Sequence, residues 1–586
     1  MDILKKLFPF LAWFPFKGST LRADAIAGIT VALVLIPQSM AYAQLAGLPP
    51  YFGLYAACLP VAVAAMFGSS KQLATGPVAV VSLLTASALT PYAMVGSPEI
   101  IDLAIITTLL VGGIQLLLGI FRLGALVNFL SHPVIMGFTN AAAIIIALSQ
   151  LSKMFGVKMG RSHSFMQDIW GVLRQLGETH WPTLAFGLSA LIIMFTLKRY
   201  RPKLPNVLIA VAVTTIISWL IGFEKMGGAV VGGIPSGLPS ITPPKINIDM
   251  IMKLLPNALI ISLVGFMEAI SIAKAMAAKT KDRIDPNQEL IGQGLANFLG
   301  SFTQSYPCSG SFSRSAVNLD AGAKTGLSSV FTALIIVVTL LFLTPLLHHL
   351  PQAALAAVIM MAVSGLINVK GVKHAWRASR HDGVAAGVTF IATLVVAPHL
   401  DGGIMIGAGL AIVLYLYRTM HPRVAHLGRF DDGTLRDVGV YPELPTDPRI
   451  ILIRFDGSLY FANVSYFEDN VLAAVANKPN AKFFLVVGDG INQLDASGEE
   501  VLHKLAESLR SHGITLMFSG LKRQVIEVMH RTGLYDFLGG RANVMATEDV
   551  ALAEIYKRMG GEGEFCPLLP REYDQKKEIF DFLSRQ

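Results

Sequence analysis

From residue 24 to residue 418 the chain is a succession of apolar runs with short polar breaks, and no other feature limits its fold so strongly. A helix of about 20 apolar residues spans the roughly 30 Å hydrocarbon core of a bilayer. In that solvent every backbone N–H and C=O needs a partner inside the protein, so runs of this length read as helices. Fourteen segments emerge: 24–46, 50–67, 76–90, 100–119, 125–149, 182–197, 204–222, 255–276, 288–303, 310–322, 326–343, 352–367, 383–398 and 401–418. Several are too short to cross alone; fifteen residues make about 22 Å of helix at 1.5 Å per residue. Composition agrees with a polytopic membrane protein. Charged residues are 15% of the 586 and hydrophobic ones 53%, where ordinary soluble domains carry about 25% charged. Three cysteines (Cys58, Cys308, Cys566) make no disulfide framework.

Near residue 420 the pattern becomes that of a soluble domain, with short strands alternating with charged amphipathic helices. The expected division is an interfacial segment at 1–22, a transmembrane domain at 23–420, a soluble α/β domain at 436–560 and a tail at 561–586. Leu7 to Phe16 holds Pro9 and Pro15 and lacks a small-residue cleavage site. It reads as a segment lying on the membrane, with Lys5, Lys6 and Lys17 among the headgroups, and not as a cleavable signal. The net charge of +8 invites a nucleic-acid partner, but its placement argues otherwise. Basic residues gather near 122, 198–203, 277–287, 368–380 and after 418, while 344–351 and 399–400 hold no Lys or Arg. The stretch 151–180, with Lys153, Lys158, Arg161 and Arg174, departs from this bias. On balance both termini are expected on the cytoplasmic side.

Two segments of the first half have counterparts in the second. Ile29–Ala46, with Pro37, matches Leu259–Ala277, with Glu268. Thr75-Gly76-Pro77-Val78 matches Ser309-Gly310-Ser311-Phe312-Ser313-Arg314. The offsets are similar, 231 residues from Pro37 to Glu268 and 234 from Gly76 to Gly310. Fourteen segments then divide as seven plus seven, and an odd number per copy inverts the second. Short segments opened by Gly and Pro at matching positions point to half-helices meeting near the bilayer midplane. Their N-termini carry unpaired N–H groups and partial positive charge, which suits an anion. Gly76, Pro77, Val78, Ser311 and Phe312 are therefore candidate binding residues. The plainer alternative is that these motifs only start helices.

Five further side chains stand out. Arg314 lies in the second short segment, where an ionisable group is costly and by default functional; the alternatives are an ion pair or snorkelling. Ser311 and Ser313 offer hydroxyl donors or N-caps. Gln38 and Tyr42, four residues apart, share a helix face and either wall a pocket or act as packing glue. Pro37 is expected to break that helix locally. Glu268 is the one acid in the middle of an apolar span, poised to carry a proton or held in a salt bridge to Arg314 or Lys274. Asp24, Asp102, Asp320 and Asp401 fall near segment ends and read as interfacial. No HExxH, Walker A or GxSxG is present, so no enzyme activity, cofactor or metal site is expected. His348-His349 is a loop pair without ligand spacing. In the soluble part, strands at 449–455, 482–487 and 514–519 alternate with helices at 462–476, 497–512 and 522–532. Asp495 and Ser497 precede the middle helix, as an N-cap or a phospho-acceptor turn.

Ala27–Ala43 (with Ile36-Pro37-Gln38-Ser39-Met40-Ala41-Tyr42), Gly47–Tyr55, Thr75-Gly76-Pro77, Asn287–Gly294 and Ser311–Ser315 resemble the sulfate permease (SulP) family over nearly the whole chain. The soluble part is similar to a STAS domain, the module shared with anti-sigma-factor antagonists. The resemblance implies a seven-plus-seven inverted repeat with core and gate domains. It implies a substrate site between the third and tenth segments, elevator-like transport, a homodimer and a cytoplasmic STAS domain. It places Gln38, Tyr42, Val78, Ser313 and Arg314 at the anion and matches Glu268 to the acidic group of proton-coupled members. The expected activity is proton-coupled sulfate uptake in a bacterial plasma membrane. Sodium-coupled bicarbonate or dicarboxylate transport, an anion channel or sensor, and a receptor acting through an unidentified partner of the STAS domain are the rivals.

Overall fold

The computed structural model describes residues 8–15, 17–124, 131–160, 164–201, 204–560 and 567–569. Lys5, Lys6, Leu7 and Phe16 of the interfacial segment, residues 125–130 of the fifth segment and most of the 561–586 tail lie outside the described residues. The chain divides into two compact units, Met1–Ile412 and Val413–Gln586.

Among the described residues each of the fourteen segments overlaps helix, the first thirteen in the first unit and the last, Leu400–Met420, running from the first unit into the second. Eight helices among the described residues are long and apolar enough to cross a membrane; Tyr51–Phe67, Ala79–Leu89 and Asn206–Ile221 are shorter apolar helices. Local chemistry sets many of the ends. Ser97 accepts from Ile100 N–H and Pro98 takes the first helical position of Pro98–Ile120, where a missing N–H costs nothing. Asn247 and Asp285 cap Ile248–Thr280 and Pro286–Ser301 in the same way. Pro37 does not break its helix as expected. Gly18–Leu45 runs through it without interruption, because the surrounding packing tolerates the one lost hydrogen bond. Gly53 explains part of the 47–55 motif: a Cβ there would sit 1.9 Å from Ser39 O, so only glycine lets the Tyr51–Ala56 helix approach that backbone. Two amphipathic helices, Phe165–Arg174 and Val369–Ala378, occupy stretches read as loops; they are too short and polar to register as spans.

The helices pack in two groups. Pro286–Ser301 lies on Pro98–Ile120 and Leu59–Phe67, Leu327–Val338 on Gly18–Leu45, and Ile248–Thr280 on Pro98–Ile120. Arg380–Val396 lies on His132–Ser149, and Trp181–Tyr200 on Asn206–Ile221 and Gln352–Ser364. The first group takes segments one to four and eight to eleven, and the second takes the rest. Within the first group, strand β1 (Ala74–Gly76) pairs antiparallel with β2 (Ser309–Ser311), in register Ala74↔Ser311, Thr75↔Gly310 and Gly76↔Ser309. The two matched turns of the sequence repeat are thus hydrogen-bonded to each other, running in opposite directions as inverted copies must. Among the aromatic residues of the N-terminal segment, Phe8 and Phe10 pack on Phe67, with ring centroids 6.1 and 6.0 Å away.

The second unit holds a six-stranded sheet: β3 (Val424–Arg429), β4 (Leu435–Asp437), β5 (Ile450–Phe455), β6 (Phe483–Val487), β7 (Thr515–Ser519) and β8 (Val544–Met545), in spatial order β4-β3-β5-β6-β7-β8. β5 to β8 are parallel, and β3 runs antiparallel to both neighbours. The expected strands and helices are present within one or two residues. β3, β4, β8 and the Glu548–Arg558 helix were not read from sequence, and β3 and β4 carry the sheet ahead of residue 436. The sheet is covered on both faces: Ile451, Ile453 and Phe484 face one apolar cluster, and Ile450, Leu452 and Leu485 the other with Leu552 and Ile555. Burial on both faces is why β6 reads as an unbroken apolar run.

Candidate functional site

β1 continues through Pro77 and Val78 into the Ala79–Leu89 helix, and β2 passes directly into Phe312–Asp320. Neither N-cap residue, Val78 or Ser311, makes a side-chain capping bond. Capping is therefore not the role of Ser311; its Oγ lies 3.4 Å from Ser313 Oγ instead. The first N–H groups of both helices stay free of side-chain partners and add partial positive charge where the strands cross. A cavity of about 940 Å³ opens at this point, lined by Val78 and Ala79 from the first helix start and by Ser311, Phe312 and Ser313 from the second. Gln38, Tyr42 and Glu268 line it from their long helices, and Asn206, Val207, Val358 and Met361 close it from the other helix group.

Gly76, Pro77 and Arg314 are not on that lining. Arg314 lies behind it, completely buried, and none of its three guanidinium nitrogens has a hydrogen-bond partner. Gly76 makes room for it. At φ +144° the residue is in a glycine conformation, and a Cβ would stand 3.4 Å from Arg314 Nη2. Glu268 Oε2 is likewise buried without a partner, and among the described residues Glu268 forms no ion pair with Arg314 or Lys274. The salt-bridge alternative for both is not what the fold contains. Gln38 Oε1 is also buried and unpartnered, so Gln38 is not packing glue through that atom. Three polar side chains thus meet around one cavity with unspent hydrogen-bonding capacity, a costly arrangement in an apolar interior.

A lattice of buried polar hydrogen bonds supports this crossing, with only Gln293 Oε1 left without a partner among the side chains named below, and sequence reasoning missed it. Gln293 Nε2 donates to Thr75 Oγ1 at 2.7 Å. Asn297 donates to Gln115 Oε1 and Cys308 O at 3.0 and 3.1 Å, and its Oδ1 accepts from Cys308 N–H at 2.8 Å. Ser309 Oγ donates to Gly265 O at 2.6 Å, and Ser315 Oγ accepts from Ala74 N–H at 2.9 Å. Glu289 accepts from Ser69 N–H, Ser69 Oγ and Ser70 N–H. The available signal was the four-residue spacing of Glu289, Gln293 and Asn297, which sets three polar groups on one face of a membrane helix. Asp24 is buried, not interfacial: it accepts from Lys324 N–H, Thr325 N–H and Thr325 Oγ1 and joins the first helix to the start of Leu327–Val338.

In the second unit Asp495 is the N-cap of Ala496–Ser511. Its Oδ1 accepts from Gly498 N–H at 2.8 Å and its Oδ2 from Phe461 N–H at 2.9 Å. Ser497 is half-buried beside it.

Residues 21–389 match the sulfate permease family and residues 441–551 the STAS domain. Probable sulfate transporter 4.2 of Arabidopsis thaliana is 37% identical over 559 residues, covering 92% of this chain and 82% of that protein. High affinity sulfate transporter 2 of Stylosanthes hamata is 33% identical, covering 92% and 84%. The murine Slc26a9 anion transporter shares the fold, with a TM-score of 0.87 at 23% identity over 94% of each chain. The membrane domain of the cyanobacterial bicarbonate transporter BicA aligns with 68% of this chain and 98% of its own, at a TM-score of 0.59 and 21% identity. The fourteen helical segments, the crossed half-helices and these matches together make the chain a multi-pass member of the sulfate permease family with a C-terminal STAS domain.

Proposed function

We propose that this protein carries sulfate, or a closely similar inorganic oxyanion, across a bacterial inner membrane together with protons. The observation that carries the reading is the buried guanidinium of Arg314, unpaired behind two uncapped helix N-termini at a cavity that also holds an unpaired acid. The positive field of all three favours an oxyanion in the cavity, and Gln38, Ser311 and Ser313 supply hydrogen-bonding groups around it. The relatives named as sulfate transporters support sulfate as the cargo. Glu268 shares the cavity, so a proton on its carboxyl removes a negative charge that would repel a divalent anion. Anion and proton then favour each other's binding, which is the thermodynamic requirement for symport.

The cavity lies between the two helix groups; Glu268 and both half-helix starts belong to one of them, while Lys198 and the start of Asn206–Ile221 line it from the other. Rigid sliding of the group that holds the half-helix starts and Glu268 carries those parts with it, which supports an elevator-like cycle; a homodimer is part of the same proposal. The distribution of Lys and Arg supports cytoplasmic termini.

The test is radiolabelled sulfate uptake into proteoliposomes with an imposed inward proton gradient. Wild type is expected to follow the gradient, and Glu268→Gln to lose that dependence while retaining downhill exchange. Uptake of bicarbonate on a sodium gradient, with none of sulfate, would overturn both the cargo and the role of Glu268.

A further inference from the structure

Outside the anion cavity, the connection after Asn206–Ile221 meets the connection before Gln352–Ser364. Residues 229–232 and 348–352 are stitched by Val231 N–H to Leu350 O at 2.9 Å, Gly232 N–H to His348 O at 3.1 Å and Gln352 N–H to Ala229 O at 2.9 Å. Phe223 is fully buried beneath this contact, with its ring 4.5 Å from that of Phe186. On this anchored seam Glu224, His348 and His349 converge. A ligand atom of each lies within 4.8 Å of the others, and among the described residues this is the one such triad of His, Cys or acidic groups. His348 Nε2 stands 3.4 Å from Glu224 Oε2. A simple exposed ion pair accounts for those two residues but not for the third donor brought to the same point.

We propose that Glu224, His348 and His349 bind a divalent transition metal of the zinc type, and that the bound ion clamps the two connections and slows transport. Two imidazoles and one carboxylate are the donor set such ions prefer. Bonds of about 2.0–2.2 Å around a tetrahedron place donors roughly 3.3 Å apart, so rotation of half-exposed side chains closes the site without moving backbone. A water completes it. The connection 344–351 runs from a helix packed on Gly18–Leu45 to one packed on Trp181–Tyr200, and so joins the two helix groups. An ion fastening it to Glu224 restrains the element that must flex when the groups slide; this second half rests on the transport reading given above.

The experiment uses full-length, tag-free protein in detergent and in proteoliposomes, with Co2+ as the spectroscopic probe and Zn2+ as competitor. Wild type is expected to bind one Co2+ per chain with visible ligand-field absorption, displaced by Zn2+. Binding should weaken about tenfold or more in Glu224→Gln and disappear in His348→Gln/His349→Gln. Zn2+ should slow wild-type sulfate uptake severalfold and leave the double variant, whose metal-free uptake and melting temperature match wild type, unaffected. No Co2+ binding by wild type, or an unchanged spectrum in the double variant, overturns the site. Zn2+ that binds without slowing uptake overturns the clamp. If wild type transports no sulfate at all, the transport reading falls, while the Co2+ spectrum still decides the site.

Discussion

At the residue scale the decisive fact is an unpaired cation and an unpaired acid in one apolar region. Arg314 presents five donors in a rigid planar fork, which a lysine ammonium on a flexible stem does not reproduce. Arg314→Lys is therefore expected to cut sulfate uptake at least about tenfold, the cost of losing roughly 1.4 kcal/mol of anion interaction, while the protein still elutes as a single species on gel filtration. Gly76→Ala strains a backbone that only glycine adopts freely and pushes a methyl toward Arg314 Nη2. It should raise the apparent KM for sulfate more than it lowers the maximal rate, as read from concentration-dependent uptake. Both residues stand out in the sequence, Arg314 as a charge among small side chains and Gly76 in a Gly-Pro turn. That Arg314 sits behind the cavity wall, with Gly76 making room for it, depends on contacts across 238 residues of chain.

At the element scale, the crossing of β1 and β2 is held by the lattice centred on Asn297. Replacing Asn297 with leucine strands Gln115 Oε1, Cys308 N–H and Cys308 O without this partner, and each buried unsatisfied group costs about 1–3 kcal/mol. The expected outcome is a lower melting temperature in detergent and weaker sulfate binding, with Gln293→Ala milder because it removes only the bond to Thr75 Oγ1 and a long one to Glu289 Oε1. In the soluble unit Asp447 links the approach to β5 with the Glu548–Arg558 helix. Burial pushes its carboxyl up, but hydrogen bonds from Arg449 and Tyr556 Oη outweigh that and hold it below the usual carboxylate range. The folded state then binds this proton less readily than the unfolded chain. The stabilisation is complete above the unfolded value of about 3.9 and is lost as pH falls through the lower folded value. Hydrogen-exchange protection of β5 and β6, corrected for intrinsic rates, should fall below about pH 4, and Asp447→Asn should lose that step and be less protected at pH 7.

At the scale of the whole molecule, the placement of charge sets an expected orientation. Leu346 lies in the Lys- and Arg-free stretch 344–351, and Lys279 in the last turn of Ile248–Thr280, next to a basic connection. With Cys58 and Cys566 replaced by serine, Leu346→Cys should react with an impermeant maleimide on intact cells, and Lys279→Cys only after permeabilisation. The opposite pattern would place the termini outside. Cavity and helix grouping argue for sliding of one group as a body. A cleavable bifunctional thiol reagent joining Val78→Cys to Val207→Cys, both on the cavity lining but from different groups, should therefore stop uptake, and a reductant should restore it.

The fourteen apolar segments, the paired Gly-rich turns and the three central strands of the STAS domain with their alternating helices were legible in the sequence. Apolar length, turn residues and strand–helix alternation are local properties, written in consecutive residues. β3 and β4 escaped notice because their antiparallel partners, and not their own weak pattern, make them strands. The uninterrupted helix at Pro37, the buried Asp24 bound to Thr325 and the lattice under the half-helices were likewise decided by the tertiary structure. So were the unpaired states of Gln38, Glu268 and Arg314 and the meeting of Glu224 with His348 and His349. Most depend on groups that approach one another across more than 100 residues of chain, as Asp24 and Thr325 do. A polar side chain in a membrane helix announces in sequence that it needs a partner; only the packed fold determines whether it has one or waits for a ligand.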